Sequence, residues 1–116
     1  MGYRFPLAEV NALIAGLNAA GVRATIDPAK VNTPAVWINL GVLDHDTLAC
    51  STLRADAVCC VADTTDEAAL ANLAAMHDAV LALVDCAGPV RFQGTVLPGP
   101  DLTPLPSLVV PVVITT

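Results

Sequence analysis

Between Ala68 and Val84 the only charged residue is Asp78, and this absence constrains the fold more than any motif in the chain. The surrounding stretch reads as a strand (Leu53–Ala62), a capped turn (Asp63–Asp66) and a helix (Glu67–Val84). Thr64-Thr65-Asp66-Glu67 has the capping-box spacing, with Thr64 accepting from the backbone and Glu67 reaching back. Asp66 and Glu67 place negative charge at the end the helix dipole favours. At 100° per residue, Leu70, Leu73, Val80, Leu81 and Val84 share one side, with Met76 and Leu83 at its margin. Each such side chain contributes roughly 1.5–3 kcal/mol when fully buried. The opposite side carries Ala68, Ala71, Ala75, Ala79 and Ala82, where a surface helix normally shows water its charges. A chain of 116 residues is too short to bury a helix on all sides, so a partner chain is expected over the alanine face.

A second helix repeats the pattern. It is predicted from Pro6 to Ala20, with Pro6 at an early helical position and Gly21 at the left-handed stop. Leu7, Val10, Leu13, Ile14 and Leu17 make its stripe, and its back is Ala8, Glu9, Ala12, Ala15, Gly16 and Ala19.

Composition points the same way. Hydrophobic residues make up 55% of the chain, charged residues only 14% and aromatics only 3%. So few charges leave apolar surface to be covered by an oligomer or a membrane. No stretch reaches the roughly 18 apolar residues of a spanning helix, since Leu102–Thr116 is broken by Pro104, Pro106 and Pro111. Arg4, Pro6 and Glu9 stand where a secretory signal would be apolar, and Pro6 stands where myristoylation expects a hydroxyl. A soluble, intracellular oligomer is the expectation. A net charge of −6 argues against a nucleic-acid-binding surface, which needs a basic stripe.

In chain order, Val22–Ile26 is a predicted short strand closed by Asp27-Pro28, and Lys30–Pro34 a loop. Ala35–Leu40 alternates, with Val36, Ile38 and Leu40 inward and Trp37 away from the main core. Trp37 is either covered within its own subunit or an interface anchor. Gly41–Thr52 is predicted as a connecting loop with Asp44, His45 and Asp46 at its tip. In the strand after it, the outward face runs Arg54, Asp56, Val58, Cys60, turning apolar halfway as if covered there. Cys86–Pro89 is a predicted turn. Val90–Leu97 is a strand with Val90, Phe92 and Val96 inward and Arg91, Gln93 and Thr95 outward. Ser107–Ile114 is a last strand, placed at an edge or a bulge by Pro111. The fold class is α+β: a mostly antiparallel sheet of about five strands with two helices on one face, order α-β-β-β-α-β-β, in one domain spanning 1–116.

No residues assemble into a recognisable catalytic site. His77 falls in the helical stripe, where it reads as a core histidine bonded to a backbone carbonyl, or as a base paired with Cys59 or Cys60. Cys50, Cys59, Cys60 and Cys86 have no metal-like spacing, and adjacent Cys59 and Cys60 face opposite ways. Asp44-His45-Asp46 lacks a second cluster to complete a metal site. The seven glycines form no phosphate-cradling motif. No cofactor, metal or catalytic residue is expected.

The order and spacing of these elements resemble the tail terminator (tail completion) family of long-tailed bacteriophages. The carriers are the opening helix ending in Ala20-Gly21-Val22-Arg23, then Ile26-Asp27-Pro28, then Val31-Asn32-Thr33-Pro34-Ala35-Val36-Trp37-Ile38. After them come the strand Asp56–Ala62, the helix Glu67–Val84, Leu97-Pro98-Gly99 and Pro106–Ile114. The resemblance implies a structural virion protein and not an enzyme. It implies a six-membered ring that caps the tail tube, stops its growth and offers a docking face to the head connector, with DNA passing through the lumen. Under it, Ala12, Ala15, Ala19, Trp37, Ala71, Ala75, Ala79 and Ala82 are expected at subunit interfaces, and Asp44, His45 and Asp46 line the lumen. The partners are then further copies of the chain, the tail tube protein and the connector or stopper. Another neck component (stopper or adaptor) and a small thiol-dependent hydrolase are the alternatives.

Overall fold

In the computed structural model, residues 5–47, 50–62, 67–97 and 104–115 are described, residues 46, 47 and 50 through their backbone only. Helix α1 is Leu7–Ala19 and helix α2 is Glu67–Leu81. The strands are β1 (Ala24–Thr25), β2 (Ala35–Thr47), β3 (Cys50–Cys60), β4 (Asp85–Cys86), β5 (Arg91–Thr95) and β6 (Leu105–Thr115). They form one sheet in the order β1-β2-β3-β6-β4, with β5 beside β4's end of the row, also on β6. Only β1 and β2 are parallel. The fold is therefore α+β with a mostly antiparallel sheet, one strand richer than expected.

Both helices cover one face. Val10, Leu13 and Leu17 of α1 and Ala69, Leu73, Met76 and Val80 of α2 meet Val36, Ile38, Leu53, Ala57, Val110 and Val112 in one core. Helix α1 stops in a Schellman arrangement: Val22 N–H donates to Leu17 O at 2.9 Å, and Gly21, at φ 85°, donates to Asn18 O at 3.1 Å. The capping residue expected for α2, Thr64, lies outside the described residues. Leu7 and Leu70 do not join the core; Leu70 is 53% exposed. The buried set of α2 is Ala69, Leu73, Met76, Val80, and Leu70 sits about 90° round from its centre.

The expected loop Gly41–Thr52 is instead sheet over residues 41–47 and 50–52, residues 48 and 49 lying outside the described set. β2 and β3 form a long hairpin, with Leu40 opposite Ala55 and Val42 opposite Arg54. The extra residue is Gly41, whose Cβ, were there one, would lie 2.8 Å from Arg54 O. This bulge restores phase, so Leu43 faces the core as Leu40 does. Only two residues of the predicted strand Val22–Ile26 pair, and the expected turn at Cys86 belongs to β4.

β6 lies inside the sheet, not at its edge. Pro111 O accepts from Ala87 N–H at 2.7 Å, so residue 111 turns its backbone groups away from β3. The nitrogen that proline leaves without hydrogen faces the gap between β4 and β5, and no β3 rung is lost.

Candidate assembly surfaces

The helix backs are bare in the single chain. On α1, Ala12, Ala15 and Ala19 are exposed; on α2, Ala71 and Ala75 are exposed, as is Ala82 just past its end. Ala79 differs, being half-buried and packed against the core of its own chain. Leu83 lies over Gly16, leaving 2.9 Å to where a Cβ would stand, so that end of the two helices is closed together. Beside it runs a cleft of about 440 Å³ lined by Glu9, Ala12, Leu81, Ala82 and Asp85.

The other face of the sheet is divided. Near the start of β2, Val58, Cys60 and Val109 are buried beneath Val31, Trp37 and Leu105. Trp37 is thus half-buried against its own chain, packing on that cluster together with Val31 of the loop before β2. Toward the hairpin end the face is polar and open. There Arg54 Nε lies 3.6 Å from Asp44 Oδ2. On the helix side of the same end, His45 Nδ1 hydrogen-bonds the buried Ser51 Oγ at 2.9 Å. Asp44, His45 and Asp46 therefore belong to strand β2 and not to a loop tip, and the Asp46 side chain lies outside the described residues.

Burial, helped by neighbouring Cys60, pushes the Cys59 thiol up to about 12. Burial also raises Cys60, against the lowering effect of Ser107, whose Oγ lies 3.5 Å from its sulfur. Both stay protonated near neutrality, and a thiol attacks as thiolate. His77 is half-exposed with Nδ1 3.0 Å from Asp78 Oδ1, so its partner is a carboxylate and not the expected backbone carbonyl or a cysteine.

β5 corrects another expectation. Phe92 does share the helix side of the sheet, since it pairs with Leu108, but α2 does not reach over it and it is 71% exposed. Val96 is exposed as well, whereas Thr95, expected outward, is buried. Leu70, Phe92, Gly94 and Pro106 line an apolar hollow of about 430 Å³ there. Sequence reasoning missed this hollow and the open edge of β2; Gly41 between two alternating runs was the available signal for a bulged, continuous strand.

Among the described residues, no group of three or more His, Cys, Asp or Glu could hold a metal ion, and no helix is long and apolar enough to cross a membrane. No protein-family model matches the chain, and no curated protein matches it.

Proposed function

We propose that this chain is a structural ring subunit of the tail terminator kind. Its ring caps a phage tail tube, stops polymerisation and joins the tail to the head connector, while DNA passes through the lumen. The observation that carries the reading is the pair of alanine-rich helix backs, with Ala12, Ala15, Ala19, Ala71 and Ala75 all exposed in the single chain. Neighbouring copies supply the missing cover. The net charge of −6, with Asp44 on the open face, suits a lumen past which phosphates slide without binding. The protonated buried thiols lend no support to thiol hydrolysis.

Native mass spectrometry and negative-stain imaging test this, with closed rings of about six subunits as the expected result. Rings added to purified tail tubes should cap one end and halt growth. Capture by a portal-side partner alone would favour a stopper or adaptor instead. Ala71→Glu with Ala75→Glu should abolish rings while leaving the fold intact, because both side chains point to solvent. Rings surviving that change would show that the helix backs are not the contact.

A further inference from the structure

Among the described residues the sheet ends on two uncovered edges, and they match each other. β1 pairs with β2 only at Val36 and Trp37, so beyond Trp37 one side of β2 meets no strand among the described residues. Among the described residues β5 pairs with β6 alone. We infer that copies of this chain join edge to edge, β5 of one copy adding antiparallel to the Val42–Asp44 stretch of β2 in the next. The contact rests on the ring reading above and specifies how its subunits are joined.

Direction supports it first. β2 and β6 run one way, and β3, β4 and β5 the other. Copies related by rotation about a ring axis keep one orientation, which sets β5 of one antiparallel to β2 of its neighbour. Such a contact is heterologous, the type that closes rings.

Hydrogen-bonding phase agrees. Val36 N–H donates to Arg23 O at 2.8 Å, so the helix-side residues of β2 turn their backbone groups toward the open edge. The Gly41 bulge preserves that relation for Leu43, since Leu40 pairs with Ala55 and Val42 with Arg54. Pro111 O faces Ala87, so the odd-numbered residues of β6 bond toward β5; Val109 meets Arg91, and Phe92 turns its own groups outward. Leu43 and Phe92 are therefore both poised to exchange backbone bonds with a new strand.

Side chains complete the match. With Phe92 opposite Leu43, both lie on the helix side, and the exposed ring covers a half-buried leucine. On the other side Arg91 falls opposite Asp44, an opposite-charge pair across strands. Asp44, already beside Arg54, has oxygen lone pairs enough for a second guanidinium. β5 carries no acid, and Val42–Thr47 carries no lysine or arginine.

The test is a cross-link in a Cys50→Ser, Cys86→Ser background. Asp44→Cys and Arg91→Cys together would occupy a non-hydrogen-bonded antiparallel pair, whose Cα separation of about 4.5 Å suits a disulfide. β3 and β6 stand between β2 and β5, so the bond cannot form within one chain. Oxidation should give a ladder up to ring size on a denaturing gel, erased by reductant, and neither single variant should pass a dimer. Assemblies that form by native mass yet do not cross-link would overturn the edge contact and leave the ring reading standing. A ladder from open chains without rings would leave the contact standing and overturn the ring. Monomer at every concentration would overturn both. Independently, Arg91→Glu should raise the concentration for half-assembly at least tenfold, and adding Asp44→Lys should restore it. Failure of that restoration overturns the register.

Discussion

The two faces of the sheet are built to different standards. On the helix side, residues from α1, α2, β2, β3 and β6 form one continuous core, with Leu17, Val36, Ile38 and Val80 fully buried. The opposite side has a small cluster under Val31 and Trp37, then an open polar half around Asp44, Arg54 and Asp56. The first face makes the fold; the second has surface to spare. The difference teaches that one sheet can place nearly all of its core contact on one face and leave much of the other open.

The largest break in that comparison should come from Leu17→Ala, at about 2–5 kcal/mol, since the site is closed on all sides by core. Chemical denaturation measures it. Gly41→Ala should follow, at roughly 1–3 kcal/mol, because the new methyl meets the Arg54 carbonyl and that backbone cannot give cheaply. Trp37→Ala should cost about 1–2 kcal/mol, below the ~3–5 of a fully buried aromatic, because its cover is partial. Equal losses at Leu17 and Trp37 would erase the distinction between the faces.

Alkaline titration sharpens it further. The Cys59 thiol is held well above its ordinary 9.0 by burial. The folded state therefore keeps a proton that the unfolded chain releases, and stability falls as pH climbs from 9 toward about 12. Cys59→Ala should flatten that slope in denaturation curves taken across the window. Smallest of all, Arg54→Ala should change stability by about 0–1 kcal/mol and less in high salt, its ion pair being exposed.

Much of this was legible in the chain. The alternation of Val36, Ile38 and Leu40 and the turn of the β3 face at Val58 announced both layers, because side-chain period is local. Gly21 marked the end of α1 for the same reason. The hairpin was not legible, since glycine followed by Asp44, His45 and Asp46 has the composition of a loop, and the β3 pairing that makes it a strand is nonlocal. Phe92 was assigned the right side of the sheet but the wrong exposure, for no local pattern tells how far a helix extends over a neighbour. Pro111 misled similarly: which way its nitrogen points depends on strand order. The alanine backs could be read from period alone, whereas the matching edges follow from topology.

Cys59 and Cys60 are consecutive, yet one lies beneath the helices and the other beneath the loop that holds Val31. Nature has thereby planted two timers one peptide bond apart. A pulse of thiol reagent, read residue by residue from fragment spectra, would rank which blanket lifts first without a single substitution in the chain.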